Sequence, residues 1–259
     1  MLYSFSHMTP ETDPKNKPTS AGHLHPLTQI MRRIEAVFAE MGFQIAEGRE
    51  IELESYNFDR LRVAKDHPSR DMQDTFWLNE TEDGERLLPR THTSNTQIRF
   101  LESFVKKHGA DNLPAEGFRI VVPGKVFRNE ATDATHEAEF YQVEGMMLAP
   151  KVSLADLKGT LSHFYKKLFG ESAEVRFRPS FFPFTEPSVE IDVKWGERWL
   201  EVMGGGLVHP DIIRDAGLDP EKWQAFAFGG GIDRLAMLVF GVDDIRLLYS
   251  GDLRLVEQF

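Results

Sequence analysis

The sequence predicts an α+β fold, an antiparallel sheet flanked by helices. Most of its extended segments neighbour one another directly, a few amphipathic helical stretches lie between them, and no regular strand-helix-strand alternation runs through the 259 residues. That length, with 41% hydrophobic residues, can bury a sizeable core. A net charge of -11 means that any nucleic-acid partner cannot be held by bulk electrostatics alone. With no cysteine, disulfides, thiolate chemistry and cysteine-based zinc sites are excluded, and the cytoplasm is the expected location. Apolar runs are short and the first twenty residues lack a basic start, so neither a membrane span nor secretion is expected.

Residues 1–21, with Pro10, Pro14 and Pro18 among Lys, Ser and Thr, read as a flexible N-terminal tail, and 22–259 as one folded domain. From Pro26 the apolar positions Leu27, Ile30, Ile34, Val37, Phe38 and Met41 recur at three and four residues, predicting a helix over 26–41 that Gly42 stops. The stretch "FQIAEGREIELESYNF" alternates as extended structure around a Gly48-Arg49 turn, and a polar loop follows over 60–74. Strands are expected at 75–79, at 118–122, in a hairpin within 124–148, at 174–178, and at 189–193 with 198–203. A helix over 154–169, capped by Ser153, lines up Leu154, Leu157, Leu161, Phe164 and Leu168; another starts after the glycines of "FAFGGGIDRLAMLVFG".

Four features bear on chemistry. In the hairpin "GKVFRNEATDATHEAEFYQVEGMML", alternation places Val126, Arg128 and Glu130 on one face of the first strand and Phe140, Gln142 and Glu144 on one face of the second, with Phe127, Val143 and Met147 opposite. That charged face is either a solvated surface of ion pairs or a rigid polar platform. The triplets Gly204 to Gly206 and Gly229 to Gly231 end two extended segments, crowded either against something bound or against a bulge; Glu201 shares a face with Trp199 and Met203. The second triplet opens a helix bearing Arg234, but it matches neither a phosphate loop nor a dinucleotide fingerprint. The loop "RFRPSFFPFTEPS" holds Phe181, Phe182 and Phe184 as ordinary core or as the wall of an apolar pocket. His23, His25, His67, His92, His136 and His209 lack any helical ligand spacing, so hydrogen bonding is expected of them rather than metal binding.

Arg128-Asn129-Glu130 with a returning strand, and "GGGIDR" opening a helix, resemble the second and third signature motifs of class II aminoacyl-tRNA synthetases. Further blocks in order, "GHLHPLTQ", "YNFDRL", "HPSRDMQDTFW", "RTHTSNTQIRF", "DLKGTL", "RFRPSFFPFTEPS", "GGGLVHP" and "DIRLLYSGDLRLVEQF", are similar to the catalytic module of the bacterial phenylalanyl-tRNA synthetase alpha-subunit family, from Gly22 to Phe259. The resemblance implies an ATP site on the hairpin's polar face, with Arg128 at the α-phosphate, Arg234 near the γ-phosphate, Glu130 accepting from the adenine amino group and Phe140 stacked on the base. Gly229 and Gly231 belong to the same site, and Glu201 is the acid that helps hold Mg²⁺. It further implies that His92, Ser94, Gln142 and Glu144 surround the ammonium and carboxylate of L-phenylalanine, and that Phe182, Phe184 and Ala227 surround its ring. The expected partners are tRNA(Phe) and a beta subunit in an alpha2beta2 heterotetramer, with part of that interface on the helix 26–41 and the strand after it.

The sequence departs from the family pattern at Arg49 and Asn95, where proline is usual, and at Gln73, which is tryptophan in some relatives; a short tail stands where the family carries a coiled coil. Two rival readings are a catalytically inactive synthetase-like binding or regulatory protein, and a class II ligase for another amino acid. The first usually loses an ATP arginine, whereas Arg128 and Arg234 are present; a ligase for a modified or phosphorylated amino acid would need polar residues at Phe182 and Phe184.

Overall fold

A computed structural model describes residues 22–66 and 75–259. The tail 1–21, His67 and Gln73 lie outside these residues. In chain order the elements are α1 (Pro26–Glu40), β1 (Gln44–Ile45), β2 (Ile51–Leu53), α2 (Glu54–Asn57), β3 (Leu87–Pro89), α3 (Ser94–His108), β4 (Phe118–Phe127), β5 (Glu139–Ala149) and α4 (Leu154–Phe169). They continue with β6 (Val175–Phe182), β7 (Thr185–Trp195), β8 (Arg198–Val208), α5 (Pro210–Asp215), β9 (Gln224–Gly231), α6 (Ile232–Phe240) and α7 (Leu253–Val256). Seven strands form one sheet in the order β1-β4-β5-β9-β8-β7-β6, antiparallel except for the β1-β4 edge; β2 and β3 pair separately.

Period-two alternation divides the sheet between two cores. Val121, Val143, Val189, Ile191, Phe226 and Phe228 pack with residues of α1, α4 and α6 on one side. Ile120, Val122, Met146, Leu148, Ala225 and Ala227 pack with Ile98 and Leu101 of α3 and with Ile212 and Ile213 of α5 on the other. The expected α1 and α4 appear nearly to the residue. Ser153 and Asp156 complete a capping box at the start of α4, satisfying two helix-end donors reciprocally.

The structure corrects several expectations. Residues 75–79 form no strand; Leu78 donates its N–H to Leu87 and a lone bridge joins Glu80 to Arg86. The extended reading of 43–58 holds only for β1 and β2, after which the chain turns into α2. α3 was not expected, because its first turn, Ser94, Asn95, Thr96 and Gln97, is polar yet buried. The segment with Phe181, Phe182 and Phe184 is not a loop but the β6-β7 hairpin, in which Phe182 pairs with Thr185. Arg128 and Glu130 lie just past the end of β4 rather than on the strand. Finally, Glu201 does not share the face of Met203. A bulge at Val202 sets Glu201 opposite Asp192 and Met203 opposite Ile191, so both Val202 and Met203 are buried while Glu201 stays exposed.

Candidate active site

The hairpin's polar face is not a solvated surface. Glu144 on β5 is only 6% exposed, and two donors at the start of α3, the Thr93 N–H at 3.1 Å and the Ser94 hydroxyl, meet its two carboxylate oxygens. Thr93 offers no side-chain cap to its own helix, so a carboxylate from a distant strand sits at that positive end. Burial pushes the Glu144 pKa up, and the donors from Ser94 and Thr93 oppose the shift. Asn95, at the family's proline position, is fully buried and donates to the His92 carbonyl at 3.0 Å and to Asn57 Oδ1 at 3.3 Å, which fixes the turn by hydrogen bonds instead of a ring.

His92 approaches the Asn57 carbonyl with Nε2 at 2.8 Å. A carbonyl can only accept, so Nε2 carries the proton and Nδ1 is an acceptor. That Nδ1 is buried without a partner, as are Gln142 Oε1, Thr93 Oγ1 and Arg90 Nη1. Burial pushes the His92 pKa down to about 4, so the ring is neutral at pH 7. Buried polar atoms normally find partners. Here three acceptor groups, His92 Nδ1, Gln142 Oε1 and the Glu144 carboxylate, belong to one turn and the adjoining face of β5, a set that suits a cationic hydrogen-bond donor.

Two cations stand at strand ends of the sheet, Arg128 just past β4 and Arg234 just past β9. Arg128 donates from Nε to the Thr91 carbonyl at 3.2 Å and lies 5.0 Å over the Phe140 ring, its pKa lowered by burial. Arg234, in the first turn of α6, is exposed and donates to the Glu201 carbonyl at 3.1 Å. Most of the six triplet glycines make room for the protein itself. A Cβ on Gly229 would come within 2.4 Å of Glu144 Cγ, and one on Gly204 within 2.7 Å of the Phe182 ring. Gly231 alone among them faces open space, beside Gln142 on β5. Glu130 is half-buried in the loop between β4 and β5.

Phe182 and Phe184 stack with ring centres 5.7 Å apart at 13°. Ala227 is buried in the same core against which Phe184 packs, between Met146 of β5 and Gly206 of β8. These three apolar residues and the three polar acceptors therefore occupy one side of the sheet.

Glu201 lies opposite Asp192, and Glu190 stands on the same face of β7. Arg176 and Arg178 already pair with Asp192 at 2.6 Å, and Arg178 also reaches Glu190 at 2.8 Å and Glu201 at 3.4 Å. Among the described residues no three His, Asp or Glu side chains are grouped to hold an ion by themselves. Magnesium is commonly bound by one or two carboxylates plus water and substrate phosphates. An exposed carboxylate with a second acid nearby fits an ion shared with a nucleotide, not a protein-only cage. The histidines serve elsewhere: His25 and His209 cap α1 and α5, and His136 pairs with Asp133.

Sequence reasoning missed Arg90, Asn57, Thr93 and Asp233. Arg90 is buried and donates to the Lys125 carbonyl at 2.7 Å; its one signal was its place two residues before His92. Asn57 and Thr93 act through hydrogen bonds between segments far apart in the chain, which no local pattern marks.

An antiparallel sheet with an arginine just past one hairpin strand, a second at a glycine-led helix and buried acceptors on the strand that follows the hairpin loop has the arrangement of a class II tRNA synthetase core, and residues 11–259 match the family described as tRNA synthetases class II core domain (F). Phenylalanine-tRNA ligase alpha subunits of Bacillus cytotoxicus, Bacillus cereus and Bacillus anthracis are each 47% identical to the chain over 255 residues, spanning 94% of it and 70% of each relative. The chain belongs to the phenylalanine-tRNA ligase alpha-subunit family.

Proposed function

We propose that this chain activates L-phenylalanine with ATP and transfers it to the 2′-hydroxyl of the terminal adenosine of tRNA(Phe). The observation that carries the reading is the buried set of acceptors at His92 Nδ1, Gln142 Oε1 and Glu144, which suits an ammonium group. Phe182, Phe184 and Ala227 supply an apolar wall for an aromatic ring. Ser94 holds Glu144 and so acts on the ammonium through it.

The phenylalanine carboxylate is already ionised, so no general base is needed. One of its oxygens bonds to the α-phosphorus, the bond from that phosphorus to the bridging oxygen breaks, and pyrophosphate leaves with the electron pair. Arg128 holds the α-phosphate and its growing charge, while Arg234 holds the γ-phosphate. Phe140 stacks on adenine, Glu130 accepts from its amino group, and Gly231 leaves room for the nucleotide. Gly229 serves the amino-acid side instead, through the space it gives Glu144. Glu201 would help hold Mg²⁺, which would supply charge to neutralise the phosphates. In the second step the tRNA 2′-oxygen attacks the carbonyl carbon, the bond from that carbon to the phosphate oxygen breaks, and AMP departs with the electron pair as its phosphate takes up the hydroxyl proton.

Residues 22–259 form the catalytic domain. It works in the cytoplasm with a beta subunit as an alpha2beta2 heterotetramer. Ile45 on β1 and Ile51 on β2, 50% and 47% accessible, are exposed apolar side chains suited to that interface. ATP-pyrophosphate exchange in the complex with the beta subunit tests the reading. Phenylalanine is expected to drive exchange; exchange driven by another amino acid, or none with any, overturns it.

A further inference from the structure

β9 ends at Gly231, which pairs with Gln142 of β5; from Ile232 the chain is helical. The next rung of the ladder is therefore lost, and the Tyr141 N–H has no strand opposite it. Asp233 replaces that rung with a side chain: its Oδ2 accepts from the Tyr141 N–H at 2.7 Å. The other oxygen, Oδ1, accepts from the hydroxyl of Tyr249. Asp233 is 1% exposed, so both acceptor atoms are used where water is scarce.

What this contact joins gives it meaning. Asp233 precedes Arg234, and Tyr141 lies between Phe140 and Gln142. Tyr249 follows the short 3-10 helix Ile245–Leu248, whose Ile245 N–H donates to the Ala134 carbonyl at 3.0 Å, in the loop that carries Glu130. One carboxylate thus links the helix bearing Arg234, the strand bearing Phe140 and Gln142, and the C-terminal segment that holds the β4-β5 loop.

We propose that Asp233 is a positioning residue of the nucleotide site, fixing Arg234 against Phe140 while Tyr249 locks its carboxylate in place. The proposal rests on the nucleotide reading above. Burial pushes the Asp233 pKa up to about 6, and the donors from Tyr249 and Tyr141 oppose that shift. Other titratable groups around the pair are Glu137, which raises Asp233, and Tyr141 and Glu139, which raise Tyr249. Protonation of Asp233 weakens its acceptance from Tyr141, so loss of activity below about pH 6 is the expected signature.

The test uses the chain in complex with its beta subunit and compares the parent with Asp233→Ala, Asp233→Asn and Tyr249→Phe. Asp233→Ala should lower ATP-pyrophosphate exchange on the order of 10- to 100-fold, the cost of a small displacement near reacting groups. It should raise KM for ATP more than KM for phenylalanine. Asp233→Asn, a neutral acceptor for Tyr141 like the protonated acid, should recover only part of the rate, about what the parent retains below pH 6. Tyr249→Phe removes a bond that favours the ionised carboxylate, so the acid limb of its pH profile should move upward relative to the parent, and in Asp233→Asn that contribution should vanish. A merely structural Asp233 would leave these limbs where they are. Unchanged limbs in Asp233→Asn and Tyr249→Phe overturn the proposal even if Asp233→Ala does not fold. Parental ATP kinetics in a folded Asp233→Ala overturn it too. ATP affinity by equilibrium dialysis is expected to fall in Asp233→Ala whether or not phenylalanine supports exchange. Absence of exchange in the parent therefore counts against the reaction, and unchanged ATP affinity against the positioning role.

Discussion

Glu144 on β5 lies directly opposite Gly229 on β9, and any side chain on Gly229 would run into it, with Cβ 2.4 Å from Glu144 Cγ. The carboxylate is held by Ser94 and Thr93 and cannot swing away freely. Gly229→Ala should therefore displace it at a cost of about 1–3 kcal/mol, raising KM for phenylalanine roughly 5- to 100-fold and KM for ATP much less. Steady-state exchange kinetics check this. An unchanged phenylalanine KM would mean that Glu144 does not hold the ammonium.

In the proposed reaction Arg128 holds the α-phosphate and its growing charge. Its truncation, Arg128→Ala, should cut the rate of pyrophosphate exchange about 10²- to 10³-fold, the loss typical of one preorganised donor, and weaken phenylalanine binding far less. Near-normal exchange in this variant would remove Arg128 from the chemistry.

Ala227 packs in the same core as Phe184, and its methyl group is all that Ala227→Gly takes away. No polar partner is lost, so the slot should widen and admit para-chlorophenylalanine. Exchange driven by that analogue is the measurement; discrimination as strict as the parent's would place Ala227 outside the pocket.

His92 makes acid stability a further check. Its folded pKa of about 4 lies below the ordinary histidine value of 6.5, so between these values the unfolded chain binds more protons than the folded one. Stability from this group is present above pH 6.5 and lost as pH falls towards 4. Urea midpoints should rise with pH across that window, and His92→Gln, which keeps a donor for the Asn57 carbonyl, should flatten the rise. A midpoint slope identical in parent and variant would show that His92 does not titrate in this way.

Much of the fold was legible because its elements follow local rules. α1 and α4 announced themselves by apolar spacing, and the caps at Pro26 and Ser153 marked where they begin. The strands from β4 to β8 showed their alternation. α3 carried a readable signal in Ile98 and Leu101, three residues apart, and in the basic last turn before Gly109, but its polar first turn hid it. Those polar residues are buried because they work on β5: Ser94 holds Glu144, and Gln97 donates to the Gly145 carbonyl at 3.1 Å. The phase of Glu201 was misread because one extra residue at Val202 inverts every later side chain on β8, and no sequence rule locates such a bulge.

Residue order alone was enough for the α+β class, the helices α1 and α4, the antiparallel hairpins and, through ordered motif blocks, the family; all of these are encoded in periodicity, turn chemistry or contiguous residue strings. Tertiary contacts were needed to show that Glu144 at the end of the hairpin's polar face is buried, that His92 presents Nδ1 as an acceptor, that Gly229 yields its space to Glu144, and that Asp233 supplies the missing rung beside Tyr141. Each is a contact between residues distant in the chain. Burial turns such a contact from a weak surface interaction into a strong constraint, because the groups that meet there have given up water for one another.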